Sequence, residues 1–206
     1  MIAIIDYGVG NIFSLYSSLK YIGADAILTD DINKIKNADR LILPGVGAFK
    51  DAAQKLRDCG LDEVVKAEAK AGKPLMGICL GMQMLFEKSY EYGVHNGLSL
   101  IKGDIMPIAD DVPSNLKIPH IGWNALHFPK DKPKNEVFKY INEGDCVYFV
   151  HSYYGKNCES SVIATCEYSK ELTAAVADAN IYGMQFHPEK SGETGLKILK
   201  AFSEIK

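Results

Sequence analysis

Pro74-Leu75-Met76-Gly77-Ile78-Cys79-Leu80-Gly81-Met82-Gln83 is the segment on which the reading of this chain turns. Its first half, Pro74–Ile78, is apolar at successive positions rather than alternate ones, the pattern of a strand covered on both faces. From Leu80 the apolar residues take up helical spacing, and a helix is predicted over Leu80–Lys88. Glycines stand on both sides of the junction, and a cysteine sits at it.

The same succession recurs outward from there. Ile2–Ile5 is a short β-branched run, and Gly8-Val9-Gly10-Asn11 turns the chain. Ile12, Leu15, Tyr16, Leu19 and Ile22 then mark one face of a helix that stops at Gly23. Ala26–Leu28 and Arg40–Leu43 fit two more strands, the second running into Pro44-Gly45-Val46-Gly47. Helical spacing covers about Ala48–Arg57 and Leu61–Ala71, with Gly60 between. Strands alternating with helices predict an α/β fold: an open, mostly parallel central sheet flanked by helices.

The second half changes character. Leu98–Ile105, Ile118–Ala125, Cys146–Tyr153, Val162–Glu167, Thr173–Ala177 and Ile181–Phe186 read as strands between polar turns, an antiparallel extension of the sheet. A closing helix from about Gly192 is expected to bury Leu196, Leu199, Phe202 and Ile205. With 206 residues and no linker or repeat, residues 1–206 read as one domain, large enough to hold a core without disulfide or metal staples.

Composition narrows the function. There are 23 Lys+Arg against 26 Asp+Glu, a net charge of −3, without a long basic run, which argues against nucleic acid as a partner. The longest apolar stretches, such as Leu41-Ile42-Leu43, fall far short of a bilayer span. Met1-Ile2-Ala3-Ile4-Ile5-Asp6 lacks a basic region and reads as a buried strand rather than a signal peptide, so a soluble cytoplasmic protein is expected. Five cysteines, none paired as Cys-x-x-Cys, suggest free thiols rather than a disulfide framework or a metal site.

Gly77-Ile78-Cys79-Leu80-Gly81 has the form G-x-C-x-G, the thiol counterpart of a nucleophile elbow. At a helix start, Cys79 would lie near unpaired N–H groups that favour thiolate, and the Leu80 N–H could face an oxyanion. Taken alone, the motif fits a buried core cysteine equally well. A thiol nucleophile needs a base with an orienting partner. His187-Pro188-Glu189 follows the strand Ile181–Phe186, and in extended chain residues i and i+2 point to the same side, so Glu189 could fix the His187 tautomer. His120 and His151 read as structural or surface groups. At the same sheet edge, Val46 or Gly47 could offer a second oxyanion N–H. Gly8-Val9-Gly10 is no dinucleotide fingerprint, because its sixth position is Phe13. No cofactor or metal is expected.

Pro-Gly-Val-Gly, Gly-Ile-Cys-Leu-Gly-Met-Gln and His-Pro-Glu, in that order, resemble the class I, triad-type glutamine amidotransferases, whose fold is flavodoxin-like. Asp6–Asn11, Pro119–Asn124, Phe149–Tyr153 and Gln185–Ser191 narrow the resemblance to glutaminase subunits of histidine biosynthesis that work with a (β/α)8-barrel cyclase. The resemblance implies Cys79 as nucleophile, His187 as base and acid, and Glu189 as orienter. It implies Leu80 and Val46 as oxyanion donors with Gly47 beside them, and Gln83, Ser152 and Tyr153 as holders of glutamine. Ammonia would pass to the cyclase as heterodimer partner, with Asn11, Trp123, Tyr148 and Lys190 facing it. On their own those four read as a helix cap, a core aromatic, a strand aromatic and a solvated lysine. A paralogue feeding ammonia to another synthase, such as one acting on a surface sugar, carries the same triad. A binding module that had lost its chemistry would show a replaced triad member, and a cysteine peptidase would not need Gln83 or Ser152-Tyr153.

Overall fold

The computed structural model describes residues 1–205. Its main sheet has seven strands. In chain order these are β1 (Ile2–Ile5), β2 (Ala26–Thr29), β3 (Arg40–Leu43), β4 (Leu75–Ile78) and, much later, β11 (Val162–Glu167), β12 (Glu171–Asp178) and β13 (Ile181–Met184). Their spatial order is β11-β12-β13-β4-β3-β1-β2. Strands β2, β1, β3, β4 and β13 run parallel, while β12 is antiparallel to both β13 and β11.

Two apolar layers explain why the parallel strands are hydrophobic throughout. Ile2, Ile4, Ile42, Met76 and Ile78 face one layer with Leu15 and Leu19 of α1 (Ile12–Tyr21) and with Ile198, Leu199 and Phe202 of the closing helix. Ala3, Ile5, Leu41, Leu43 and Leu75 face the other. There they meet α2 (Ile32–Asn37), α3 (Phe49–Asp58) and α4 (Leu61–Lys70) through Ile35, Leu56 and Val65. Gly23 and Gly60, both at positive φ, punctuate the helices where their spacing predicts.

Several predicted elements differ. The helix from Leu80 is one turn and a half, α5 (Leu80–Met84), and the chain then enters the short strands β5 (Lys88–Ser89) and β6 (His95–Asn96). Of Leu98–Ile105, only the end belongs to a strand, β7 (Asp104–Pro107). Leu98, Leu100 and Ile101 are instead pinned as a loop, donating backbone bonds to the carbonyls of Met84 and Leu85. Not all later strands extend the main sheet. β8 (His120–Ala125) and β9 (Cys146–His151) form a separate antiparallel pair, and β10 (Tyr153–Lys156) joins β7, β5 and β6 in a four-stranded sheet. The closing helix α6 (Gly192–Ser203) buries Ile198 as well as Leu199 and Phe202, and leaves Leu196 half-buried. The helix α2 has no counterpart in the sequence reading. Asp31 starts it by accepting from the N–H groups of Asn33 and Lys34.

Two loops without an assigned role turn out to be anchored. Asp111 accepts from Lys156, Lys170 and Tyr154 at 2.7–2.8 Å, tying the 110–116 segment to the sheets. Lys134 donates to the Ile141 carbonyl, and Asn135 caps the short turn that follows. Among the described residues no helix is long and apolar enough to cross a membrane.

Candidate active site

The parallel strands β1, β3, β4 and β13 all end at one edge of the sheet, where open α/β folds place ligands. The chain leaving them carries Asn11, the Pro44–Gly47 segment, Cys79 and His187 respectively.

Cys79 occupies the bend between β4 and α5 at φ 54°, ψ −114°. A non-glycine residue in this region is strained by about 1–3 kcal/mol. The flanking glycines are forced by close approach: a Cβ at Gly81 would lie 1.9 Å from the Leu43 carbonyl oxygen, and one at Gly77 would lie 2.6 Å from that of Gly81. The bend is held by Cys79 N–H donating to the Met184 carbonyl at 2.7 Å and by Gln83 N–H donating to the Cys79 carbonyl. As a first-turn position, Leu80 keeps an N–H without an intrahelical acceptor.

His187 Nδ1 lies 2.8 Å from Glu189 Oε1, with both side chains 2 % exposed. The pair meets, but not along an extended strand as the spacing suggests. Residues Pro188–Lys190 form a 3-10 turn that brings the carboxylate back under the ring. Asn11 Nδ2 donates to the same carboxylate oxygen at 3.2 Å, and Glu189 Oε2 is buried with no partner among the described residues. Asn11 is thus at the start of α1 without capping it by its side chain. Burial of the imidazole disfavours its charge. The nearby Cys79 sulfur and the hydrogen-bonded Glu189 carboxylate outweigh that, and the His187 pKa is pushed up to about 10.

Cys79 and His187 open onto a cavity of about 300 Å³. Among the predicted residues, Val46, Gly47, Cys79, Leu80, Gln83, Ser152, Tyr153 and His187 line it. Within the Pro44–Gly47 segment, Tyr7 donates its hydroxyl to the Pro44 carbonyl at 2.7 Å, and Gly45 is boxed in against Gly81, Leu80 and that hydroxyl. Gly47, at φ 89°, has open space around its Cα. Gln83 Nε2 donates to the Tyr153 carbonyl and to Gln185 Oε1, both at 3.1 Å, leaving Oε1 as its remaining acceptor.

The cavity also recruits Glu91, Pro119, Val150 and His151, which the sequence reading missed. Glu91 accepts from the Phe49 N–H at the start of α3. Neither His151 nor His120 is a surface group: both are buried, and they contact each other at 3.0 Å. The four predicted interface residues cluster beside the His187–Glu189 turn. Trp123 and Tyr148 are cross-strand partners with ring centroids 6.0 Å apart, Trp123 is 56 % exposed, and Lys190 is exposed within the turn itself.

A larger groove, about 680 Å³, contains a second His–Glu pair, His127 and Glu143. That pair is 43 % and 59 % exposed, and its lining has no thiol. Among the described residues no group of three His, Cys, Asp or Glu could hold a metal ion.

Residues 3–205 match the family described as Glutamine amidotransferase class-I. The chain belongs to the class I glutamine amidotransferases. It is 52% identical over 206 residues to the imidazole glycerol phosphate synthase subunit HisH of Caldanaerobacter subterraneus subsp. tengcongensis, covering 100% of this chain and 98% of that one. It is 48% identical to the protein of the same name from Oceanobacillus iheyensis, covering 100% and 99%. Solved structures share the class I amidotransferase fold at low identity. A crystal structure of a glutamine amidotransferase superposes with a TM-score of 0.75 at 16% identity, covering 100% of both chains. PurLQS from Thermotoga maritima does so at 0.71 and 21%, covering 98% of this amidotransferase and 96% of that chain.

Proposed function

We propose that this amidotransferase hydrolyses glutamine at Cys79 and supplies the ammonia to a (β/α)8-barrel cyclase, which makes imidazole glycerol phosphate and an aminoimidazole carboxamide ribotide. The observation that carries this reading is that Cys79 and His187 line one cavity while Glu189 lies 2.8 Å from His187 Nδ1. The likeness to subunits named for imidazole glycerol phosphate synthase supplies the pathway. Residues 1–206 act as one amidotransferase domain.

In the first step Cys79 Sγ attacks the side-chain carbonyl carbon of glutamine as a thiolate, the proton being held by His187 Nε2. The carbonyl oxygen becomes an oxyanion, held by the N–H of Leu80 and that of Val46, with Gly47 beside them. His187 then gives its proton to the departing nitrogen. The C–N bond breaks, ammonia leaves, and a glutamyl thioester remains on Cys79. Water attacks the thioester with His187 again as base, and glutamate and free thiol result. Glu189 holds the His187 Nδ1–H throughout and so keeps Nε2 toward the sulfur.

The other end of glutamine is a zwitterion. Glu91 is the sole acid lining the cavity among the described residues and suits the α-ammonium, together with Gln83 Oε1. The backbone at Ser152 and Tyr153 suits the α-carboxylate. Asn11, Trp123, Tyr148 and Lys190 form the face toward the cyclase, adjoining the triad. Contact there biases the Val46–Gly47 peptide, the unboxed part of its segment, toward the form that aims its N–H groups. The testing experiment measures glutamate release with and without the cyclase. Strong stimulation by the partner, lost in Cys79→Ala while ammonium salt still drives the cyclase, supports the reading. Equal rates with and without partner contradict the coupling.

A further inference from the structure

The imidazoles of His120 and His151 form a buried pair whose hydrogen-bond partners do not balance if both rings are neutral. His151 Nδ1 is 2.9 Å from the Tyr153 carbonyl oxygen, which accepts only, so that nitrogen carries a proton. His120 Nε2 is 2.8 Å from Asn124 Oδ1. The amide is oriented by its Nδ2, which donates to the Glu167 carbonyl at 2.9 Å, so the oxygen faces His120 and that ring nitrogen is also a donor. Each ring has then used its one neutral-state proton on its outer side. The inner nitrogens, His120 Nδ1 and His151 Nε2, face each other 3.0 Å apart. Two lone pairs at that distance repel; one further proton between them makes a hydrogen bond.

We propose that the His120–His151 pair holds three protons and one positive charge, and that this charge positions the Ser152–Tyr153 backbone and attracts the α-carboxylate of glutamine. The proposal rests on the reading that the cavity takes glutamine.

Three features support it. His151 lines the cavity and donates to the Tyr153 carbonyl, which also accepts from Gln83. Among the described residues the cavity lining contains no Lys or Arg, so the substrate carboxylate meets no other cation of that lining once His187 is engaged in proton transfer. His120 is sandwiched between aromatic faces, Tyr168 at 4.2 Å and Phe149 at 5.2 Å between centroids, a surrounding that favours an imidazolium. Burial lowers the proton affinity of both rings, opposed at His151 by the Tyr153 carbonyl and at His120 by the Asn124 bond, and the charges of His120 and His187 lower His151 further, to about 3. The charge therefore resides on His120, with the shared proton on Nδ1. The ionisable groups facing the pair are His187 from the turn after β13, which opposes its charge, and the Tyr168 phenol after β11.

The extra proton is lost as pH rises, so glutamine affinity falls with it. Because burial holds both rings below the ordinary histidine value of about 6.5, the experiment follows ¹⁵N-histidine NMR spectra and glutamine kinetics of the cyclase-bound enzyme from about pH 5 to about pH 8. The expected spectrum has both nitrogens of His120 protonated at the acidic end. The expected KM rises about tenfold across the same titration while kcat changes much less. Asn124→Asp, which adds negative charge beside His120 Nε2, shifts the KM transition to higher pH. His120→Gln gives a high KM that no longer depends on this titration. If His120→Gln does not fold, the spectra and Asn124→Asp still decide. Normal turnover with one proton on each ring throughout, or an unchanged KM profile in Asn124→Asp, overturns this inference alone. No glutamine turnover by the wild-type complex removes the cavity reading and this inference with it.

Discussion

Glu189 Oε1 receives both His187 Nδ1 at 2.8 Å and Asn11 Nδ2 at 3.2 Å, so one carboxylate oxygen orients the proposed base and ties the proposed triad to the first residue before α1. Replacing the carboxylate by an amide keeps the shape and loses the charge that pairs with imidazolium. Glu189→Gln is expected to lower kcat for glutamine by roughly 10²–10⁴-fold with a much smaller change in KM. Asn11→Ala leaves the charge and removes one brace, so its loss is smaller. Steady-state kinetics on both variants check the order.

The strain at Cys79 predicts an unusual pair of variants. Cys79→Ala and Cys79→Gly both abolish glutamine hydrolysis, but glycine adopts φ 54°, ψ −114° without a Cβ penalty. Cys79→Gly is therefore expected to be more stable than Cys79→Ala by about 1–2 kcal/mol. Urea unfolding of the two proteins measures the difference.

His187 makes stability depend on pH in a defined direction. Its folded pKa is raised to about 10, above its unfolded value of about 6.5. The stability it contributes is full below about pH 6.5 and is lost as pH climbs toward about 10. In Cys79→Ala one of the partners that raise the pKa is gone, so burial weighs more, the His187 pKa falls, and the decline moves to lower pH. Unfolding curves collected across that range for both proteins are expected to show the shift.

Away from the site, Asp111 holds Lys156, Lys170 and Tyr154, and these bonds keep its carboxyl well below the usual range. Its contribution is present above the unfolded carboxylate value and lost on acidification through the lower folded one. Asp111→Asn is expected to cost about 1–3 kcal/mol at neutral pH, measured by chemical denaturation.

What could be read from the chain follows its physics. The parallel strands are apolar at every position because both faces are covered, and that pattern survives in sequence at Ile2–Ile5, Arg40–Leu43 and Leu75–Ile78. Cys79, His187 and the Pro44–Gly47 turn follow those strands and β13, so their placement at one sheet edge is legible with the strands. Helix α2 was not, since it buries one residue of six, Ile35. The helix after Cys79 was overextended because Leu85 and Phe86 are buried beyond its end, where backbone bonds to the 98–101 loop replace helical ones. Glu91 lies past that overextended helix and carries no local pattern. His120 and His151 are 31 residues apart in sequence, and their pairing exists only through the register of β8 with β9.

The central claim is a glutamyl thioester on Cys79, and the most direct test is rapid acid quenching of the cyclase-bound enzyme during glutamine turnover, followed by mass spectrometry of the peptide containing Cys79. A glutamyl adduct on that peptide, absent in Cys79→Ala and accumulating when hydrolysis is slowed, is the expected result. Glutamate formed at an undiminished rate by Cys79→Ala, with no adduct in the wild type, would contradict the account.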